Sequence, residues 1–280
     1  SMGADTLAVA ESTRKEREHL YMGHLLTLSQ YRDLLWLWAG REVRVRYKQS
    51  LLGVAWAIVQ PLVLTVVFTL IFSRLARVDT GGIPYPIFAY TALVPWTFFS
   101  TSLGFGIPSL IANMNLVTKI YFPREVLPLA SIGAASVDFA AASAIFVGML
   151  IFYGVWPGVH ALWILPLLVL QVLLTIGVTL LGSAAIVFFR DMRFVVPLIT
   201  QVWMYATPII YPVELVPEHL RPYYFLNPMA GIIDGYRRAL LLGESPQMTA
   251  LLCSTAISCL LFMVGYACFK RVEPMFADLI

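Results

Sequence analysis

Asp138 is the one charged side chain set deep in an apolar run: between Glu125 and Arg190 the chain holds no other Asp, Glu, Lys or Arg. An acid in such a setting is costly and marks a function or a specific contact. Three roles are open to this intramembrane acid: a step in a proton pathway, a gate, or a hydrogen-bonded contact between helices. No Lys or Arg shares its run, which favours the structural contact, where the carboxyl can be protonated. Around it Ser136, Ala140, Ala144 and Gly148 repeat every four residues. Such small side chains let another helix, from this chain or a second copy, approach closely. Three further acids, Glu214, Glu218 and Asp234, lie in one long connection. Any acid–base chemistry would have to draw on these four carboxyls.

Other chemistries lack their residues. The sequence has no G-x-x-x-x-G-K-[ST] phosphate loop, no H-E-x-x-H helix, no Cys/His metal spacing and no G-x-S-x-G elbow, so nucleotide cradles, zinc sites and activated serines have no foothold. His19, His24, His160 and His219 are isolated from one another. Cys253, Cys259 and Cys268 all fall in the last apolar run, where they read as small buried apolar residues. No catalytic residue, metal or bound cofactor is expected of this chain.

The elements that must position these residues are apolar helices. Of 280 residues 59% are hydrophobic and 12% charged, against about 25% charged in soluble domains. Nothing is charged between Asp79 and Lys119. An uncharged apolar run of roughly 18 residues or more crosses a hydrocarbon core. Six spans are predicted, at about 54–73, 87–112, 127–153, 162–187, 194–212 and 248–268. The fold class is therefore an all-α integral membrane protein. The charged segment 113–128 is the connection between the second and third spans. A net charge of +3 does not argue for nucleic acid.

Residues 31–50 mix Leu, Trp and Val with Arg41, Arg44, Arg46 and Lys48 and are too charged to span. They predict an amphipathic helix lying in the interface, rings at headgroup depth and basic side chains toward anionic membrane lipid. Residues 1–30 show scattered charge and no apolar signal segment and are read as a tail, as are 271–280. Six spans place Arg74, Arg77, Arg221, Arg237 and Arg238 on one side and the other fourteen of the nineteen Lys and Arg on the opposite side. By the positive-inside rule both termini and the 113–128 connection are cytoplasmic.

The connection from Thr207 to Gln247 is rich in proline and too apolar for a solvated loop. Asn227-Pro228 reads as a helix N-cap and first turn, and Gly243 as the stop. Two half-helices within about 214–242 are predicted to dip back into the membrane; a helix lying on the outer surface is the alternative. Aromatics cluster near the second span and this stretch. Most suit an interfacial belt, and some could stack on sugar rings.

Six segments carry a family resemblance: R-Y-K-Q-S-L-L-G-V-A-W-A-I-V-Q-P-L (46–62), L-V-P-W-T-F-F-S (93–100), N-L-V-T-K-I-Y-F-P-R-E-V-L-P (115–128), F-F-R-D-M (188–192), T-P-I-I-Y-P (207–212) and F-L-N-P-M (225–229). In order and topology they resemble the permease subunit of ABC-2 type polysaccharide exporters, which move O-antigen, capsule or teichoic acid. The resemblance implies a homodimer enclosing a polymer-wide channel and docked on two copies of a cytoplasmic P-loop ATPase, which carries ATP and magnesium. It also implies a lipid-linked polysaccharide as substrate and the bacterial inner membrane as location.

The resemblance further assigns ATPase coupling to the helix with Arg41, Arg44, Arg46 and Lys48 and to the loop with Lys119, Tyr121, Arg124 and Glu125. It makes 214–242 a pair of periplasmic gate helices, with Tyr223, Tyr224, Asn227 and Tyr236. Trp96, Phe98, Phe99, Tyr205 and Tyr211 are the candidates for channel aromatics. A membrane-embedded glycan polymerase or glycosyltransferase, and an ion-coupled secondary transporter, are the alternatives.

Overall fold

A computed structural model describes residues 31–48, 53–119 and 122–276. The tail 1–30 and Tyr121 lie outside the described residues. The described chain is all-helical. Helix α1 covers 31–47, and α2, Trp56–Phe68, runs on through a wider π-helical stretch, Thr69–Leu75. Helices α3, Tyr85–Gly106, and α6, Val126–Tyr153, flank two short ones, α4, Ser109–Ala112, and α5, Met114–Lys119. Then follow α7, Ile164–Phe188, α8, Met192–Tyr205, the single turn α9, Arg221–Tyr224, α10, Pro228–Arg237, and α11, Met248–Val272.

Four helical stretches among the described residues are long and apolar enough to cross a membrane: Trp56–Arg74, Val126–Tyr153, Gly158–Phe188 and Met248–Met275. They correspond to four of the six predicted spans. The other two differ from expectation. The predicted 87–112 run is broken, because α3 ends at Gly106 and Pro108, which has no N–H, precedes the separate turn α4. The predicted 194–212 run is helical only over Met192–Tyr205, and turns take over before Pro208 and Pro212. At 1.5 Å per residue α8 is about 21 Å long, short of a 30 Å hydrocarbon core.

Local chemistry fixes several ends. Gly154 closes α6 with φ 70°, a left-handed residue where a side chain would be strained. Asn227 caps α10 by accepting the Met229 N–H at 3.1 Å, and Pro228 occupies the first turn. The helix continues as a π-helical stretch, Arg238–Leu242, that ends at Gly243, φ 64°.

Helix α3 is apolar all round and enclosed, since its side chains from Ile87 to Val94 are at most 5% exposed. It packs along α6 on one side and against α2, α7 and α10 on others. Every residue of α10 is buried among the described residues. The α7–α11 pair is close enough that a Cβ on Gly265 would overlap the Gly177 carbonyl. By contrast Ser136, Ala140, Ala144 and Gly148 form an exposed stripe on α6, with no helix of the described chain against it. Helix α8 likewise turns Phe194, Leu198 and Val202 outward.

The glycine contacts give a paired test. Gly265→Ala should lower stability by about 1–3 kcal/mol, the usual cost of overpacking. Gly148→Ala, with open space around it, should leave the unfolding temperature in detergent level or slightly higher; thermal unfolding of both variants checks this.

Candidate functional site

Residues 113–125 are tied to both termini of the described chain. Arg41 of α1 donates to Asn113 Oδ1 at 3.3 Å, and its Cζ lies 4.7 Å from the Trp38 ring centroid. Trp38 stacks on Phe122 at 6.3 Å with planes 8° apart. On the other flank Glu273 accepts the Arg124 N–H at 2.9 Å, and the Arg124 guanidinium reaches the Glu273 carbonyl. Lys270 bridges Glu125 at 2.6 Å and Glu273 at 3.0 Å. Arg41 and Arg44 are exposed along α1 and Lys48 just past its end, and the Lys119 backbone closes α5.

Arg46 departs from its expected role at a surface. Its side chain is 9% exposed and turns inward, where Nη1 donates to Asp138 Oδ2 at 2.7 Å. Tyr47 Oη donates to the other oxygen, Oδ1, at 2.5 Å. The guanidinium also lies over the Phe105 ring, 4.1 Å from its centroid. The apolar run of Asp138 holds no cation of its own, yet the carboxylate has one. It comes from α1, 92 residues away in sequence.

The aromatic candidates separate into two groups. Trp96, Phe98 and Phe99 are 4%, 3% and 0% exposed. Phe99 meets Trp203 edge to face at 5.0 Å, and Phe98 packs on Phe139 at 5.4 Å. These three are core side chains of α3, buried within the described chain and not exposed as a channel-lining ring is expected to be. Tyr205 is exposed, and Tyr211 donates to its carbonyl at 3.2 Å and pairs with Tyr224 Oη at 2.9 Å.

Of the gate candidates, Tyr223 is exposed and Asn227 is a junction: it accepts from Trp203 Nε1 at 2.7 Å and donates to Thr207 Oγ1 at 2.9 Å. Tyr236 is buried and donates to Gln171 Oε1 at 3.0 Å, while Gln171 Nε2 donates to the Pro95 carbonyl at 2.8 Å. One amide thus links α7, α10 and α3.

With this geometry described, relatedness can be stated. Residues 33–241 match the family of ABC-2 type transporters. The chain belongs to this family. Among the relatives of this ABC-2 chain is an O-antigen export system permease protein of Klebsiella pneumoniae, 32% identical over 250 residues, covering 89% of this chain and 95% of the relative. One from Myxococcus xanthus is 29% identical over 253 residues, covering 90% and 96%. A polysialic acid transport protein of Escherichia coli is 22% identical over 240 residues, covering 83% and 91%.

Several residues of this ABC-2 chain that carry weight in the structure were not singled out by sequence reasoning. Arg237 is 5% exposed and donates to the carbonyls of Ile209 at 2.6 Å, Phe88 and Tyr211 at 3.3 Å, and Pro208, with its Cζ 3.6 Å from the Phe88 ring centroid. Arg238 gathers Asp234 at 2.9 Å, Glu244 at 3.1 Å and Glu214 at 3.8 Å. Burial raises the Asp234 carboxyl above its ordinary range, and the Arg238 guanidinium pulls the other way. The signal for this pair was the four-residue spacing of Asp234 and Arg238. Gln171 was legible as a lone amide in a Leu-rich run. Lys270 and Glu273 carried the same kind of signal in their three-residue spacing, whereas Arg237 had no local signal.

Arg237→Met keeps the bulk of the side chain and removes its donors. Leaving several buried carbonyls without partners should cost about 2 kcal/mol or more. A Tyr223→Phe variant, at an exposed ring, should unfold with the parent; unfolding midpoints of the two proteins in detergent check the contrast.

Proposed function

We propose that this chain is the transmembrane permease subunit of an ATP-driven exporter of a lipid-linked polysaccharide in the bacterial inner membrane, O-antigen type more than capsule type. The observation that carries this is the match to O-antigen export permeases across about nine-tenths of both chains. Four apolar helices suit a multi-pass protein, and α3 and α8 complete a six-span reading in which α8 continues through the turns at 206–212. In this reading 31–50 is the interface helix, 51–270 the transmembrane domain, and 214–242, with the exposed turn α9 and the buried α10, the periplasmic gate. Both termini are cytoplasmic, which the positive-inside rule supports.

Two copies enclose the channel, and each docks on a separate P-loop ATPase that supplies ATP and magnesium. The exposed small-residue stripe on α6 and the outward apolar face of α8 are free for a second copy or for lipid. The coupling surface to the ATPase is assigned to Arg41, Arg44 and Lys48, exposed on and just after α1, and to the loop that holds Lys119, Tyr121, Arg124 and Glu125. The glycan enters at the cytoplasmic face and closure of the ATPase pair drives it outward. Tyr205, Tyr211 and Tyr223 give it a surface on which rings stack weakly, as a conductor requires.

The embedded-enzyme alternative is disfavoured because three of its four acids are already in ion pairs, Asp138 with Arg46, and Asp234 and Glu214 with Arg238. Purification from native membranes in mild detergent tests the proposal. A P-loop ATPase should accompany the chain, and Lys119→Ala should cut ATP-driven glycan export several-fold while the chain stays at its normal membrane level. A chain that purifies alone, from cells whose surface glycan survives its deletion, would overturn it.

A further inference from the structure

Helix α1 is gripped at two places that lie on different parts of the bundle. Near its middle Arg41 bonds Asn113 and Trp38 stacks on Phe122, both in the 113–125 segment. At its end Arg46 and Tyr47, consecutive residues, converge on the two oxygens of Asp138. Asp138 lies twelve residues into α6, roughly 18 Å from its start at 1.5 Å per residue. Between the two grips α1 is a continuous helix, and such a helix transmits displacement along its axis.

The second grip is strong in one respect and incomplete in another. Breaking a buried pair leaves an uncompensated charge, so the two groups strongly favour each other. Yet Nε and Nη2 of Arg46 are buried without an acceptor. A cavity of about 260 Å³ lies beside them, lined by Trp56, Gln60, Thr97 and Phe105 together with the grip itself. The guanidinium therefore has unused donors and adjacent space, the conditions for a contact with a second arrangement.

We propose that Asp138 is a positioning residue for transport, the point at which movement of α1 is delivered to the membrane bundle. When the 113–125 segment is displaced, α1 moves as a bar, and the Arg46–Asp138–Tyr47 contact carries that motion to the middle of α6 and, through Phe105, to α3. The inference rests on the ATP-driven permease reading above. It adds to that reading a specific connection between the ATPase-facing surface and the interior.

The test uses the complete complex of this chain and its ATPase in proteoliposomes, with ATP turnover and glycan export measured together. Asp138→Asn keeps an acceptor of the same shape and removes the charge. Export per ATP should fall about tenfold or more, within the usual range of coupling between distant sites, while ATP turnover stays within about twofold. The double variant Arg46→Gln with Asp138→Asn should be no worse than either single one, because both act on one contact. A merely structural role would lower turnover, export and membrane level together, and that result would overturn the proposal, as would normal export per ATP in Asp138→Asn. If Asp138→Asn does not reach the membrane, Tyr47→Phe removes one hydroxyl and decides by the same ratio. Failure of the wild-type complex to export with ATP would instead defeat the permease reading itself.

Discussion

The guanidinium of Arg237 is the contact on which the far half of the bundle depends. Between the end of α8 and Pro212 the backbone leaves the helix while still buried, and its carbonyls lose their helical donors. In an apolar surrounding an unpaired carbonyl is expensive, and water is not at hand to relieve it. Arg237 collects Pro208, Ile209 and Tyr211 from this segment and Phe88 from α3, and Tyr85 adds a bond to Ile210 at 2.7 Å. A side chain with five donors in a planar fork suits the task, which a single ammonium would not. The burial of α10 follows, because the helix that carries Arg237 has to lie inside the bundle for its guanidinium to reach these oxygens.

The same constraint organises the rest of the polar inventory. Gln171 and Tyr236 form a short chain that ends on the Pro95 carbonyl, and Asn227 spends its amide on Trp203, Thr207 and the α10 cap. Each joins elements distant in sequence, and each leaves the surrounding packing apolar. The lone acid of α6 is paired in the same manner, by a helix that composition alone placed at the membrane surface. At the opposite end Lys270, Glu125 and Glu273 fasten the start of α6 to the end of α11. The bundle is thus closed by polar contacts both inside its helices, at Asp138 and Gln171, and at their ends, and by glycine-to-backbone approach between α7 and α11.

For an exporter this distribution has a use. The 113–125 segment is attached to α1 on one side and to α11 on the other, so a push there reaches two parts of the bundle. The outward faces of α2, α6 and α8 carry no polar bonds to other helices of the described chain and are free to slide against lipid or a second copy.

The sequence by itself determined the membrane class, four apolar helices, the Asn227 cap and the Gly243 stop, because these rest on hydropathy and on backbone chemistry within a few residues. It also marked Asp138 as exceptional, since a charge in an apolar run is visible without any partner. It could not place the two prolines at 108 and 208 as true helix ends, because membrane helices often tolerate proline when neighbours supply donors. Nor could it tell that Trp96, Phe98 and Phe99 are core: an enclosed helix and a channel-lining one share the same composition. Only the tertiary structure decided that Arg46 belongs to Asp138 and Arg237 to the carbonyls of 208–211. Those pairings span 92 and about thirty residues, and they are decided by the balance of desolvation cost against charge and hydrogen-bond attraction in a folded interior, which does not exist along the chain until the helices have packed.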